Sequence, residues 1–186
     1  MRLLIMGPPG VGKGTQAKIL SQNLKILHLS TGEILRKEIQ NKTKIGKTAK
    51  SFIDHGQLVP DNIILDIVSQ QISTEKIKYG YLLDGFPRTI PQATGFDKIL
   101  KKMGHNLNAA INLIADQNEL ITRIINRGKI SGRSDDTLKI IQERQKIYWK
   151  QTAPLIDYYE KIKILKNIDG IGRIENVTQR ILKVLK

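Results

Sequence analysis

A glycine-rich loop near the start of the chain constrains the fold more than any other feature of the sequence. It runs from Gly7 to Thr15 (Gly-Pro-Pro-Gly-Val-Gly-Lys-Gly-Thr), after a short apolar run and before a helical pattern. Glycines let the backbone turn its N–H groups inward, and the helix that follows directs its positive end at the same point. Lys13 adds a positive charge there. The sequence therefore predicts a phosphate-binding turn between a strand and a helix.

The hydroxyl of this loop is displaced by one position from the general pattern. That pattern places Ser or Thr directly after the lysine, where the hydroxyl meets Mg²⁺. Here Gly14 follows Lys13, and the hydroxyl belongs to Thr15. The sequence therefore leaves direct coordination of a metal by Thr15 in doubt.

Short apolar runs alternate with longer helical patterns along the whole chain. This alternation predicts a parallel sheet covered by helices on both faces. The segment 31–59 has a helical pattern without a strand, so we expect it to project from the sheet as an insertion. The runs that predict mostly buried strands are 3–6, 26–29, 81–83, 109–114 and 162–168.

Composition bounds the class of protein. The 186 residues carry a net charge of +14, which invites a nucleic-acid partner. However, 22 lysines against 9 arginines are spread without a block of like charges, so we attribute most of the charge to solvated surface. The absence of cysteine excludes disulfides and thiolate metal sites. No apolar run approaches the ~18 residues of a membrane span. We expect a single-domain, cytoplasmic protein that does not enter a membrane.

Two acidic residues are candidates for a metal site. Asp84 ends the apolar run at 81–83, the placement expected of a carboxylate that orients Mg²⁺ or its waters beside phosphates. A strand-end Asp that caps a turn is the alternative. Glu33 follows Thr31-Gly32 and is a second candidate, but an ordinary first-turn glutamate fits this position nearly as well.

Six of the nine arginines fall in or near segments with other candidate residues. Arg presents a planar fork for bidentate contact with phosphate and stays charged in any environment. Arg123 and Arg127 are four residues apart and share a helix face. For any one arginine taken alone, an exposed helical position is the alternative. The six are Arg36, Arg88, Arg123, Arg127, Arg133 and Arg144.

These candidates fit phosphoryl transfer between two nucleotides. Such a reaction requires charge neutralisation, alignment and exclusion of water. An acceptor that is itself a phosphate is already an anionic nucleophile and needs no general base. The sequence contains no Ser/His/Asp or Cys/His arrangement, and we expect His28, His55 and His105 to be structural or surface residues.

The motifs resemble the adenylate kinase family over the whole chain, in the short form that lacks an extended lid. The most specific segment, Asp-Gly-Phe-Pro-Arg-Thr-Ile-Pro-Gln-Ala at 84–93, is similar to nucleoside monophosphate kinases. The other matches are the loop at 7–16, Leu-Ser-Thr-Gly-Glu-Ile-Leu-Arg at 29–36, Gly-Gln-Leu-Val-Pro-Asp at 56–61, Arg123, Arg127, Arg133, Arg144, Thr-Ala-Pro-Leu at 152–155 and Asp-Gly at 169–170.

The resemblance implies reversible Mg²⁺-dependent phosphoryl transfer from ATP to AMP, giving two ADP, in adenine nucleotide homeostasis. It implies an α/β fold of the P-loop NTPase type, with three layers and a five-stranded parallel sheet flanked by helices. A single kinase domain over 1–186 would have a core (1–29, 60–126 and 134–186), an AMP-binding helical insertion (about 30–59) and a short lid loop (about 127–133). The partners would be ATP, AMP and ADP, and the enzyme would be a monomer without zinc.

The resemblance also implies which residues form the site. Independently of it, a side-chain amide such as Gln92 offers adenine a donor and an acceptor at once. ATP would be bound by Gly10, Val11, Gly12, Lys13, Gly14, Thr15, Arg127 and Gly172. AMP would be bound by Thr31, Arg36, Gln57, Leu58, Val59, Gly85, Phe86, Pro87, Arg88, Gln92, Arg133 and Arg144. The catalytic residues would be Lys13, Asp84, Arg88, Arg123, Arg133 and Arg144, with Mg²⁺ held through water by Asp84 and by Glu33, where the family often has Asp.

Three other functions compete with this interpretation. A UMP/CMP kinase or a GTP:AMP phosphotransferase would share the motifs; Thr31 and Gln92 favour AMP as acceptor, but the donor base is poorly specified. A nucleotide-gated nucleic-acid-binding protein would combine a phosphate loop with positive charge. Against nucleic acid stand the lack of a basic block and an aromatic content of only 5%.

Overall fold

Five parallel strands form one sheet in the order β2-β3-β1-β4-β5. A computed structural model of the chain describes residues 1–116, 119–120, 122–124 and 137–185. The predicted lid, with Arg127 and Arg133, lies outside the described residues. The strands are β1 (Arg2–Met6), β2 (Leu27–Ser30), β3 (Tyr81–Asp84), β4 (Ala109–Ile114) and β5 (Leu165–Asp169).

Helices connect and cover the strands, as the alternating sequence pattern predicts. Residues 119–120 and 122–124 are also helical, and a short 3-10 helix (Glu75–Ile77) and a π-helical turn (Tyr148–Thr152) complete the described elements. The α-helices are α1 (Lys13–Leu24), α2 (Thr31–Gln40), α3 (Lys44–Ile53), α4 (Asp61–Ile72), α5 (Ile90–Met103), α6 (Leu138–Ile147), α7 (Leu155–Lys161) and α8 (Ile174–Val184).

The sheet is buried on both faces, which is why its central strands are mainly apolar, with Asp84 of β3 and Asn112 of β4 as buried polar exceptions. Side chains alternate along β1, so Leu4 and Met6 belong to one hydrophobic cluster while Leu3 and Ile5 belong to another. Helices α4 and α5 pack against the first cluster, and α1 and α8 pack against the second. This three-layer arrangement places the carboxyl ends of the strands, where ligands bind in such sheets, along one edge.

Helix starts follow the capping chemistry of their sequences. Thr89 begins α5 by accepting a hydrogen bond from Gln92 N (3.1 Å), and Thr43 begins α3 by accepting one from Gly46 N (3.0 Å). Helices α2 and α3 lie within the segment 31–59, where the structure confirms the helical prediction.

The fifth strand differs from its prediction. It begins at Leu165, because Ile162 caps α7 and Lys163 adopts a left-handed conformation (φ 62°). The expectation of a mostly buried strand is wrong, since only Ile168 of β5 is buried. The reason is its place at the edge of the sheet, where it pairs with β4 alone and exposes Lys166.

Candidate functional site

The predicted phosphate-binding turn is formed as expected between β1 and α1. Lys13 Nζ donates to the carbonyl oxygens of Gly7 (2.8 Å) and Pro8 (2.9 Å), so the lysine side chain folds back across the loop. Gly12 caps α1 with φ 100°, a conformation that L-residues with side chains rarely adopt. These contacts hold the ammonium group of Lys13 at the mouth of the loop and the helix N-terminus beneath it.

Two glycines of the loop are required by close packing as well as by their backbone angles. Gly7 has φ 134°, and a Cβ atom there would collide with Leu113 O. Gly10 has φ 89°, and a Cβ atom there would lie 2.7 Å from Leu120 O and 2.8 Å from Ile124 Cγ1. Gly12, by contrast, has no atom within 4 Å of its Cβ position. The loop therefore rests on Leu120 and Ile124 on one side and is open at Gly12.

The loop opens into a cleft of about 700 Å³, which is large enough for a nucleotide. A smaller pocket of about 70 Å³ adjoins it. Predicted residues that line the cleft are Gly10, Val11, Gly12, Lys13, Gly14, Thr15, Glu33, Arg36, Leu58, Asp84, Gly85, Pro87, Arg88, Arg123, Arg144 and Gly172. Those that line the smaller pocket are Thr31, Arg36, Gln57, Leu58, Val59, Gly85, Arg88, Gln92 and Arg144.

One predicted residue does not reach either cavity. Phe86 is 2% exposed, and its ring packs edge to face against Phe96 with centroids 5.1 Å apart. It therefore supports the turn after β3 from inside the core, while Gly85 and Pro87 on either side of it line the cleft.

Asp84 is the acidic residue at the floor of the cleft. It ends β3 beside the phosphate loop, where a Cβ atom on Gly14 would lie 3.5 Å from its Oδ2. Burial raises the pKa of the Asp84 carboxyl, but the His28 side chain and the charge of Lys13 outweigh burial and lower it below its usual range. The charge of Arg88 acts in the same direction. Asp84 is therefore a carboxylate at neutral pH.

His28 is a neighbour of Asp84 to which the sequence assigned no role. It lies on β2, and its Nε2 is buried 3.6 Å from Asp84 Oδ2. Parallel pairing of β2 with β3 brings the two side chains together, and only the sheet register reveals this.

A hydrogen-bond network holds the residues of the smaller pocket. Gln92 Oε1 accepts from Arg88 N (2.7 Å), and Gln92 Nε2 donates to Asp61 Oδ1 (2.7 Å). Arg88 Nε donates to Gly85 O (2.8 Å), and Thr31 Oγ1 donates to the same carbonyl (3.0 Å). An amide has two N–H groups and two lone pairs, so Gln92 retains one of each for a ligand.

Arginines reach the cleft from three further elements. Arg36 lies over the start of α2, with its Nη atoms 3.4 Å from a Cβ position on Gly32. Arg123 contacts Glu119 and donates to Gly170 O (3.4 Å). Arg144, on α6, lines both the cleft and the smaller pocket. The cleft is thus surrounded by positive charge suited to polyphosphate.

The residues present fit Mg²⁺ bound with a nucleotide. Mg²⁺ keeps several waters and is held in such sites by one or two carboxylates and by substrate phosphates. Asp84 supplies an ionised carboxylate beside the phosphate loop. Glu33 lines the cleft, but it is about half exposed and lies 3.2 Å from Lys18 Nζ. In the described part of the chain, no three His, Cys, Asp or Glu residues form a cluster that could hold a metal without such a substrate.

Several site-forming residues were not identified from the sequence. Asp61 is the one most easily identified from the sequence, since it follows Pro60 within the motif at 56–61. Thr152 donates to Arg88 O (2.8 Å) from the π-helical turn. Gln16 is buried, donates to Ile174 O (3.0 Å) and accepts from Thr178 Oγ1 (2.7 Å). These partners are distant in the sequence, so spacing alone does not reveal them.

The fold and this cleft define a P-loop nucleotide-binding protein with a second pocket that shares its arginines. Comparison with known proteins agrees. The family model described as adenylate kinase matches residues 5–164. A protein named adenylate kinase from Thermobifida fusca is 44% identical over 186 residues, which cover 100% of this chain and 98% of the relative. Adenylate kinases from Porphyromonas gingivalis ATCC 33277 (43%; 100% and 95% covered) and Methanothrix thermoacetophila (39%; 100% and 98% covered) are also similar.

The chain belongs to the adenylate kinase family. It is a nucleoside monophosphate kinase, a phosphotransferase enzyme, as the motifs of the sequence predict. Within the described ranges, no helix is long and apolar enough to cross a membrane.

Proposed function

We propose that the enzyme transfers the terminal phosphoryl group of ATP to AMP in the presence of Mg²⁺ and gives two ADP. One observation carries the proposal: the phosphate loop and the pocket of Gln92 open into a single cleft, and Arg88 and Arg144 line both cavities. Two nucleotides bound in this way would present their phosphates to the same arginines. In-line transfer needs this alignment more than it needs a general base.

The catalytic work we assign to the arginines and to Lys13 is electrostatic. Preorganised donors stabilise the charge that spreads over the oxygens of the transferring group. Arg88 is suited to this role because its Nε donates to Gly85 O, which orients the planar guanidinium where it lines the cleft. Arg123 and Arg144 approach from other elements. Arg133 and Arg127, outside the described residues, are assigned to the same phosphates on the resemblance alone.

Asp84 is the residue to which we assign Mg²⁺, through water, with Glu33 as a second acid in reach of the metal's water shell. When bound, Mg²⁺ would neutralise part of the negative charge of the phosphates. The chain contributes an ionised Asp84, fixed at the end of β3, and the nearby positive charge of Lys13.

The smaller pocket is the proposed site of AMP. Gln92 presents one free N–H and one lone pair, which match the donor and acceptor on one edge of adenine. Leu58 and Val59 supply apolar surface, and Arg36 and Arg88 supply charge for the phosphate. Helices α2 and α3 would then form an AMP-binding insertion (about 30–59) on a core of 1–29, 60–126 and 134–186, with a lid at about 127–133. We expect a cytoplasmic monomer, because its substrates ATP and AMP are cytoplasmic.

The test is an assay of the purified enzyme with Mg·ATP and each of AMP, CMP, UMP and GMP, followed by separation of the nucleoside diphosphates. We expect ADP formation that depends on AMP, and a Gln92→Ala variant with a raised KM for AMP but not for ATP. A Thr94→Ala variant is the matched control, since Thr94 lies on the same helix and is exposed. Turnover with UMP or CMP in place of AMP would contradict the role of Gln92. Equal turnover with GTP and ATP would contradict ATP as the specific donor.

A further inference from the structure

One arginine on α8 ties down the loop that follows β5, here termed the β5–α8 loop (170–173). Arg180 Nη1 donates to Asp169 O (2.9 Å) and to Ile171 O (2.7 Å), and it lies 3.2 Å from the Asp169 carboxylate. That carboxylate in turn accepts a hydrogen bond from Ile171 N (2.9 Å). Arg180 is 41% exposed, so these contacts lie at the surface and not in the core.

The hydrogen bonds of Arg180 fix two peptide planes of the loop. In a trans peptide the C=O and the N–H of the next residue point in opposite directions. Asp169 O points at Arg180, and Gly170 N donates away from it to Ile114 O on β4 (2.7 Å). The Ile171–Gly172 plane is held through Ile171 O in the same way. Gly172 has φ 112°, so without this contact the plane would be free to rotate.

The β5–α8 loop forms the wall of the cleft next to the phosphate loop. Gly170 and Gly172 both line the cleft, and a Cβ atom on Gly170 would lie 2.9 Å from Val11 Cγ2 of the phosphate loop. Ile174, which also lines the cleft and is 47% exposed, continues this wall with apolar surface. The resemblance to adenylate kinases assigns Gly172 to the ATP site, so a nucleotide with its phosphates at Lys13 would place its base against this wall.

We propose that Arg180 is a positioning residue for the donor nucleotide: by fixing the carbonyls of Asp169 and Ile171, it preorganises the β5–α8 loop against which the base of ATP lies. The inference rests on the proposed function, which places ATP at the phosphate loop. Arg180 touches neither nucleotide. Its effect is to remove, before binding, the conformational freedom that a loop with two glycines would otherwise lose on binding.

The proposed role of Arg180 concerns the binding of one substrate, ATP, and depends on the geometry of an arginine side chain. Loss of the hydrogen bonds of Arg180 should weaken the binding of ATP. It should leave the binding of AMP unaffected, because the AMP pocket is built from other elements. All three contacts are made by Nη1, whose N–H directions are fixed by the planar guanidinium, whereas a lysine ammonium is a compact charge on a flexible stem. Arg180→Lys preserves the charge beside Asp169 and should restore the fixed peptide planes only in part.

The experiment compares Arg180→Ala and Arg180→Lys with Lys183→Ala, which removes an exposed positive charge from the same helix. For each enzyme we would measure kcat and the separate KM values for ATP and AMP, the ratio of kcat/KM for ATP and GTP, and the affinity for ATP by calorimetry. In Arg180→Ala we expect the KM and Kd for ATP to rise about threefold to tenfold, with a reduced preference for ATP over GTP. KM for AMP and kcat should stay within about twofold, Arg180→Lys should be intermediate, and Lys183→Ala should match the wild type.

An unchanged affinity for ATP in a folded Arg180→Ala variant would overturn the proposal. So would an equal rise in both KM values with a lowered Tm, because that pattern indicates a general structural role. If the wild-type enzyme bound ATP but did not phosphorylate AMP, the proposed function would fail. The calorimetric comparison of ATP affinities would still decide the role of Arg180.

Discussion

The side chain of Asp61 holds the amide of Gln92 in one orientation. A carboxylate can only accept hydrogen bonds, so the 2.7 Å contact with Asp61 Oδ1 identifies the end of the amide that faces α4 as the NH₂ group. The other end, Oε1, accepts from Arg88 N. Asp61 also accepts from Thr89 Oγ1 (3.1 Å), the hydroxyl that caps α5. One carboxylate thus sets both the helix that carries Gln92 and the direction of its amide.

Asp61→Ala should therefore weaken the binding of AMP without affecting the binding of ATP. Gln92 loses the partner that fixes its amide, and we expect KM for AMP to rise by about fivefold, which corresponds to about 1 kcal/mol for one hydrogen bond. Asp61→Asn is the matched variant, since its side-chain oxygen can still accept from Gln92, and it should lie close to wild type. Steady-state kinetics with each nucleotide varied in turn checks this. An unchanged KM for AMP in Asp61→Ala would show that the amide needs no partner on α4.

The contrast between Gln92 and Asp61 shows what the sequence can predict. Gln92 is identifiable because its amide matches adenine and because it lies in the most specific segment of the chain. Its orientation depends on Asp61, 31 residues earlier on another helix, and no spacing rule connects the two. The pairing of His28 with Asp84 depends on strand register in the same way.

The strands of the sheet could be predicted from the sequence more readily than the contacts between side chains. Apolar runs predict β1 and β4 well because central strands buried on both faces are mainly apolar, even though β4 contains one buried polar residue, Asn112. The same rule fails for β5, since an edge strand needs only a few buried residues and Ile168 alone is buried there. Before β5, Ile164 packs against the hydrophobic cluster while Ile162 is 50% exposed, and neither belongs to the strand.

Arg88 lines both the cleft and the smaller pocket. Its replacement by lysine tests whether catalysis depends on the geometry of this side chain or only on its charge. The guanidinium is held by Nε–H donation to Gly85 O (2.8 Å), and lysine has no equivalent of that group. Lysine also loses the fork that contacts two phosphate oxygens at once. We expect kcat to fall by at least about tenfold, with Tm within about 2 °C of wild type. The reverse exchange Lys101→Arg, at an exposed position of α5 outside the cleft, is the control. An unchanged turnover would remove Arg88 from the catalytic residues.

Two of the four glycines of the phosphate loop, Gly10 and Gly12, should differ in the cost of their replacement to stability. Gly12→Ala introduces only backbone strain at φ 100°, about 1–2 kcal/mol, because its Cβ position is open. Gly10→Ala adds a collision with Leu120 O and Ile124 Cγ1 to similar strain, and overpacking of this kind costs about 1–3 kcal/mol more. Urea unfolding of both variants without nucleotide measures the difference. Equal losses would show that Leu120 and Ile124 yield to the added methyl group at little cost.

A partly buried phenol between two helices should make stability depend on alkaline pH. Tyr158, on α7, donates a hydrogen bond to Asp97 on α5. Burial raises the pKa of Tyr158 to about 12, and both the hydrogen bond to Asp97 and its negative charge act in the same direction. An unfolded tyrosine has a pKa of about 10. The contribution of the neutral phenol is therefore complete below about pH 10 and is lost as the pH rises toward 12.

Tyr158→Phe should accordingly lower the free energy of unfolding by about 1 kcal/mol at pH 7, through loss of one hydrogen bond to a carboxylate that is partly exposed. The difference from wild type should stay constant up to about pH 9.5 and then shrink between about pH 10 and 12. Urea unfolding of both proteins across this range measures it, with Tyr79→Phe, at a tyrosine that is 74% exposed, as the control. A difference that stays constant to pH 12 would mean that ionisation of Tyr158 is not coupled to folding. One that grows above pH 10 would mean that the folded protein prefers the phenolate.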